Sequence, residues 1–361
     1  MPLRGVTVAH LGHYDPGYAR NRILVKALGR AGAGVVTITD HRRFAARTPR
    51  LICAGLAARP DVILVGFPGH SDAAAAKLVS LARGAPVIWD ALTSLWETAV
   101  IDRRNAARRS PAAYRYWVTD RLACALADTI LSDTNAHIAW FSEEFRLPER
   151  KFRRIWVGAD DELMRPCPPN PPGDRLRVVF YGTFIPLHGV EHILGAAERL
   201  EGERPGVTFV LCGSRQTYPE MRALAASRKL STVEFVAGRS QTELHKLLCD
   251  SDVCLGIFGT STKAQAVVPN KVFDALACGR PVITADTPAA RECLADGETA
   301  CLCPPGDADG LATAIATLQA DPDLRDRLAR AGHSLFQRRF SLNALAEDVA
   351  QVVLDTMAVS A

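Results

Sequence analysis

Lys271 and Asp274 lie in NKVFDALACGRPVIT (270–284), where a helical run from Val272 to Cys278 is stopped by Gly279. Pro281 then leads into the β-branched run Val282–Thr284. Three residues apart on a helix, an ammonium and a carboxylate share one face. Pro269 fits the first turn of that helix, and Asn270 or a neighbour can cap it. A helix start presents free N–H groups to a phosphate. The pair reads either as a surface ion pair or as part of a phosphate grip. A second group follows a strand in YGTFIPLHGVEHIL: Gly182 and Thr183 end the strand, and His188 stands near the next helix start. A hydroxyl and an imidazole there could hydrogen-bond a pyrophosphate.

Gly12, in HLGHYDPGYARNR, follows the first strand, and Gly213 closes VTFVLCG. Glycine lets backbone N–H groups approach an anion. The Gly12 loop departs from GxGxxG, which argues against a nicotinamide site, and it also suits an ordinary strand-to-helix turn. His70 and Asp72 end a middle strand in GFPGHSD, and Asp90 ends another in WDALTS. His70 also suits a satisfied loop histidine. DSDV (250–253) has the look of a metal motif, but Asp250 ends a helix and Asp252 opens a strand, so no metal site is expected. Ten cysteines are scattered without a CxxC pair, the closest being Cys301 and Cys303. They read as buried small hydrophobes in a reducing compartment rather than as zinc ligands.

The elements that must position these residues alternate along the chain. Short apolar runs such as GVTVAHL (5–11), DVILVGF (61–67), RLRVVFYG (175–182) and DVCLGIF (252–258) are separated by helical patterns. Near-continuous apolar strands between helices imply parallel sheets covered on both faces. RPCPPNPPGD (165–174) holds five prolines in ten residues and suits an interdomain linker. The expected division is residues 1–165, a linker at 166–174, residues 175–340, and a C-terminal amphipathic helix over 341–361 that packs back on the first domain. Ligands then bind outside the carboxyl ends of the strands.

Hydrophobic residues make up 48% of the 361 and charged residues 23%, a foldable composition. A net charge of +4 is too small for a dedicated nucleic-acid binder. The N-terminus reads as a strand rather than a signal peptide, and no apolar run reaches the roughly 18 residues of a membrane span. A cytoplasmic location is expected.

The blocks VVFYGTFIPLHGVEHILGAAERL, VTFVLCGSRQTYPEMRALA, VEFVAGRSQTELHKLLCDSDVCLGIF and PNKVFDALACGRPVITADTPAARECLADGETACLCPPGDADGLATAI occur in one order over the second half. In that order they resemble retaining glycosyltransferases of family 4. The resemblance implies an α/β GT-B fold, two Rossmann-like doubly wound domains facing an interdomain cleft. It implies transfer of a sugar from a nucleotide-diphosphate sugar, without a cofactor or metal. The donor falls to Gly12, Gly182, Thr183, His188, Gly213, Pro269, Asn270, Lys271 and Asp274, with Asp274 on the ribose and Lys271 on the diphosphate. The family's first glutamate falls at Ala266. Its Arg and Lys on the pyrophosphate fall at Thr183 and His188. His70 and Asp90 fall on the acceptor side as catalytic candidates. The acceptor is a hydroxyl of a glycan, lipid-linked or small molecule, in cell-surface polysaccharide or glycoconjugate synthesis. The alternatives are a sugar-nucleotide epimerase on the same fold and a non-catalytic nucleotide-sugar binder. DRRNAARRSPAAYRYWVTDRLA (102–123) gathers Arg with Tyr114, Tyr116 and Trp117. It suits either a solvated helix face or peripheral contact with the inner face of an anionic membrane.

Overall fold

The computed structural model describes residues 1–170, 175–204 and 206–360. The chain forms two compact units, Met1–Val157 with Leu342–Ala361, and Gly158–Ser341.

In the first unit, β1 (Thr7–Gly12), β2 (Gly34–Thr39), β3 (Val62–Val65), β4 (Val87–Asp90), β5 (Thr129–Ser132) and β6 (Phe152–Arg154) form one sheet in the order β2-β1-β3-β4-β5-β6. Every pairing is parallel. Helices α1 (Ala19–Arg30), α2 (Phe44–Ala58), α3 (Ala73–Arg83), α4 (Pro111–Leu126) and α5 (Asn135–Phe145) connect them. β3, β4 and β5 are buried along their whole length, as their uninterrupted apolar sequence requires in a sheet covered on both faces. Side chains stop the fraying of helix starts: Ser110 Oγ accepts from Ala113 N, and Thr134 Oγ1 from His137 N.

The second unit repeats the plan with β7 (Leu176–Gly182), β8 (Val207–Gly213), β9 (Val233–Val236), β10 (Val253–Leu255), β11 (Val282–Ala285) and β12 (Cys301–Cys303), in the order β12-β11-β10-β7-β8-β9. All pairs are again parallel. Its helices are α6 (Val190–Glu203), α7 (Tyr218–Ser227), α8 (Gln241–Cys249), α9 (Thr262–Ala266), α10 (Asn270–Ala277), α11 (Pro288–Arg291), α12 (Ala308–Ala320) and α13 (Pro322–Arg339). Its core centres on Phe180, Ile193, Phe209, Leu211, Phe258 and Ile315. The last helix, α14 (Leu342–Ser360), returns to the first unit and packs on α1, with Thr356 hydrogen-bonded to Thr129.

The units divide at 157/158, earlier than the proline-rich run. The described part of that run is anchored to the second unit. Cys167 N donates to Cys278 O, Arg280 donates to Pro168 O, and Asn170 Nδ2 donates to Ser251 O. Pro168 has no N–H and offers only its carbonyl, which the buried Arg280 guanidinium uses. Residues 171–174 of the expected linker lie outside the described residues. Cys167 and Cys249 form a disulfide with Cα atoms 5.4 Å apart, which departs from the expectation that the cysteines are all isolated thiols. The other eight are free, most of them buried.

Candidate active site

In doubly wound sheets the ligand crevice opens where the strand order reverses. In the second unit that point lies between β7 and β10. β7 ends in Phe180, Tyr181 and Gly182, and α9 and α10 follow β10.

Lys271 stands in the first turn of α10 and is only 5% exposed. Its Nζ lies 4.9 Å from the centroid of the Phe180 ring. No hydrogen-bond acceptor engages it among the described residues. Burial pulls its pKa down to about 7, with the nearby Asp274 carboxylate acting in the opposite direction. A lysine poised there gains from any anion that enters. Asp274, one turn on, accepts a hydrogen bond from the Tyr181 hydroxyl. Burial first, and then this carboxylate, hold the Tyr181 phenol well above its ordinary pKa, so it remains a donor. Pro269 is the N-cap of α10 and has no capping side chain, and Asn270 is the first helical residue. The expectation that Asn270 or a neighbour caps the helix therefore fails, and the first-turn N–H groups lack that side-chain partner.

His188 closes a short 3-10 turn, Pro186–His188, and is 6% exposed. Its ring stands edge-on to Phe180, at 5.4 Å. A Cβ on Gly182 would lie 2.7 Å from His188 Cε1, so the glycine gives the imidazole its place. Gly213 has φ +156°, and a Cβ there would come within 1.9 Å of Gly182 O. Its absent side chain lets the ends of β7 and β8 meet. Thr183 is exposed. Ala266, at the end of α9, is buried at 4% exposure and offers no polar group in its side chain. Thus Lys271, Asp274, His188 and Gly182 gather around Phe180 and Tyr181, whereas Gly213 shapes the backbone beside them. The sequence reading passed over Phe180, Tyr181 and the second buried lysine, Lys263 (4% exposed) on α9. The YG at the end of β7 was a usable signal for Tyr181.

In the first unit the strand order reverses between β1 and β3. Asp72 joins the two strand ends: its Oδ2 accepts from His13 N at 2.7 Å, and its Oδ1 accepts from Arg47 Nε at 2.9 Å. Gly12, beside this carboxylate, has φ +144°, a backbone conformation that favours glycine. His70 Nε2 donates to Thr93 O at 2.8 Å and lies 3.6 Å from Asp120 Oδ1. Burial raises the pKa of Asp120, with the His70 charge pulling it back.

Asp90 is fully buried. It is held by Arg20 through Nε and Nη2, and Arg20 Nη1 also donates to the carbonyls of Ile155 and Trp156. Both oxygens of Asp90 are engaged, and the geometry gives it a structural task in the core.

A second acid–imidazole group escaped the sequence reading. His137 Nδ1 is 2.8 Å from Asp133 Oδ1, and its Nε2 is 3.3 Å from Glu97 Oε2. Burial alone would lower its pKa, but the Glu97 and Asp133 contacts outweigh it and raise the value to about 9. The i, i+4 spacing of Asp133 and His137 was the available signal. Further along, only Tyr114 of the three aromatics in 102–123 is well exposed. Trp117 packs on the core and donates Nε1 to Glu144. Among the described residues no helix is long and apolar enough to cross a membrane.

Residues 175–321 match the family model described as Glycosyl transferases group 1. Among curated proteins, the lipopolysaccharide core biosynthesis glycosyltransferase LpsE of Rhizobium meliloti is 28% identical over 182 residues, covering 50% of this chain and 51% of that protein. Alpha-D-kanosaminyltransferase of Streptomyces kanamyceticus is 25% identical over 179 residues, 50% of this chain and 45% of that protein. The chain spans about half the length of the curated relatives it matches. Among solved structures, Anabaena Alr3699/HepE in complex with UDP-glucose superposes with a TM-score of 0.74 at 18% identity, covering 97% of this chain and 99% of that one. Sucrose-phosphate synthase from Thermosynechococcus elongatus gives 0.76 at 19% identity, with 98% and 100% covered. These structural likenesses carry the fold alone. Over residues 175–321 the chain is similar to the group 1 glycosyl transferases, and its fold is GT-B.

Proposed function

We propose that the chain is a retaining glycosyltransferase that takes a sugar from a nucleoside-diphosphate donor held at the β7–β10 edge of the second unit. The observation that carries this reading is Lys271: a buried ammonium over Phe180, without a hydrogen-bond acceptor, in the first turn of a helix whose N-cap lacks a side-chain bond. A diphosphate would supply the missing anion to Lys271 and to the α10 N–H groups. Asp274 would take the ribose hydroxyls in place of the Tyr181 hydroxyl. Charge grows on the departing diphosphate as the glycosidic bond breaks, and donors fixed before the reaction stabilise it without reorganising. No metal is required on this scheme, because Lys271, His188 and the helix start already offer donors. On this reading His70 would orient an acceptor hydroxyl.

The acceptor class we favour is lipid-linked, on the cytoplasmic face of a membrane. Between 102 and 123 both acids, Asp102 and Asp120, are buried, whereas Arg103, Arg104, Arg108, Arg109 and Arg115 are exposed beside Tyr114. That surface is basic with an aromatic contact, as an anionic leaflet favours. Co-sedimentation with anionic and neutral vesicles tests it, and equal pelleting with both would rule out charge-driven docking.

The activity itself is tested with a panel of nucleotide sugars, beginning with UDP-glucose because a structural relative is in complex with it. Release of nucleoside diphosphate, increased by acceptor extract, supports transfer. Isomerised donor without release would indicate an epimerase. Tight binding with no turnover in any extract would indicate a binding protein.

A further inference from the structure

Cys167, His245 and Cys249 converge on one point of the second unit, away from the β7–β10 edge in sequence and in role. His245 and Cys249 stand four residues apart on α8 and so share a face. Cys167 reaches them from the proline-rich run, 82 residues from Cys249. The two sulfurs and an imidazole nitrogen all lie within 4.8 Å of one another, and all three residues are half-buried. We propose that, in the reduced chain, these three side chains form a site for a soft divalent cation, Zn2+ by its ligand set, and that disulfide formation empties it.

The histidine carries the geometric argument. A tetrahedral zinc with Zn–S near 2.3 Å and Zn–N near 2.0 Å places sulfur and nitrogen about 3.5 Å apart. His245 Nε2 lies 3.4 Å from Cys249 Sγ and 3.8 Å from Cys167 Sγ. The nitrogen thus already sits at ligand spacing from both sulfurs. Once the S–S bond opens, the sulfurs need to part to about 3.7 Å, the spacing of two thiolates on one zinc. The Cα separation of 5.4 Å lies within the ordinary disulfide range and leaves that movement to side-chain rotation. In the disulfide form Nε2 lies 3.0 Å from Arg165 O and donates its proton there. Metal ligation needs that proton on Nδ1 instead, a change of tautomer rather than of charge. Two thiolates and one imidazole leave a fourth position for water.

The two states interconvert by thiol–disulfide exchange with a low-molecular-weight disulfide as oxidant. One thiolate attacks the oxidant and expels a thiolate. The second cysteine then closes the Cys167–Cys249 bond and expels the other. Two electrons pass to the oxidant, its two released thiolates take two protons from water, and the cation leaves. In either state Cys167 stays tied to the end of α8, two residues before Ser251 and three before Asp252, which hold Asn170. The clip therefore fixes the described part of the proline-rich run, around Cys167, to the second unit.

The 361-residue chain, reduced with a phosphine and freed of metal, is titrated with Co2+ and then with Zn2+. One equivalent of Co2+ should give a thiolate-to-metal charge-transfer band, which one equivalent of Zn2+ abolishes. His245→Ala leaves both cysteines and should weaken binding at least about 10–100-fold, the loss that removal of a mere outer partner already causes. Cys301→Ser, at the other close cysteine pair, should leave the band unchanged. Oxidised glutathione should release one Zn2+ per chain while mass spectrometry shows Cys167 joined to Cys249. Absence of the band in the reduced wild type, its persistence at full affinity in His245→Ala, or its loss in a folded Cys301→Ser overturns the site.

Discussion

Binding of a nucleoside diphosphate should draw a proton into the protein, and Lys271 sets how much. In the free chain burial holds this ammonium at about 7, against the pull of Asp274. At pH 8 only about a tenth of the molecules carry the charge. A diphosphate against Nζ restores it, so about 0.9 proton should be taken up per nucleotide bound at that pH. The contact itself, a hydrogen bond between charged partners, contributes roughly 1.5–3 kcal/mol. Protonating the lysine first costs about 1.4 kcal/mol at pH 8 and twice that at pH 9. Affinity should therefore fall about tenfold between pH 8 and pH 9. The diphosphate contributes little to that slope, because the last phosphate ionisation lies near 6. Titration calorimetry in two buffers of different ionisation enthalpy reads the proton count directly. Lys271→Met keeps the stem over Phe180 and removes the charge. It should abolish the uptake, flatten the pH dependence and weaken the diphosphate more than the nucleoside. Zero uptake at pH 8 in the wild type, or an unchanged slope in Lys271→Met, would refute the phosphate role.

The same lysine and His137 should tilt the pH dependence of stability in opposite directions. Lys271 has a folded pKa below its unfolded one, so the unfolded chain binds more protons and the second unit gains stability as pH rises from about 7 towards 10.5, by at most about 1.4 kcal/mol per unit. His137 has a folded pKa raised to about 9, so its contribution is complete below about 6.5 and is lost as pH climbs through 9. Denaturant melts of His137→Gln and Lys271→Met at pH 7 and 9 should change slope in opposite senses. Arg20→Met should destabilise the first unit by about 3–5 kcal/mol, because it leaves Asp90 buried without its partner. An active, fully stable Asp90→Ala would contradict that structural assignment. Asp274→Ala should weaken nucleotide binding and cost about 1–3 kcal/mol, because the Tyr181 hydroxyl loses its acceptor. Unchanged nucleotide affinity in a folded variant excludes the ribose contact.

What the sequence made legible was local. Buried parallel strands announce themselves as unbroken apolar runs, so the expected runs at β1, β3 and β7 fall within a few residues of the observed bounds. Lys271 and Asp274 lie on one helix, as their spacing implies. Their electrical state was not legible, because it is set by Phe180 and by Tyr181, the latter 93 residues from its partner Asp274. Asp90 looked like a free acid at a strand end until Arg20, 70 residues away, closed on both its oxygens. Cys167 and Cys249 looked solitary for the same reason. The difference between the two carboxylates follows from their partners. Arg20 meets Asp90 with a charge and donors to both oxygens, and Asp90 is fully buried, out of a ligand's reach. Tyr181 meets Asp274 with a neutral hydroxyl, a contact that ribose hydroxyls can take over. Residue type alone nominates both acids equally. Only the polarity and charge of the distant partner separates the acid that holds the fold from the acid that can exchange its partner for a substrate.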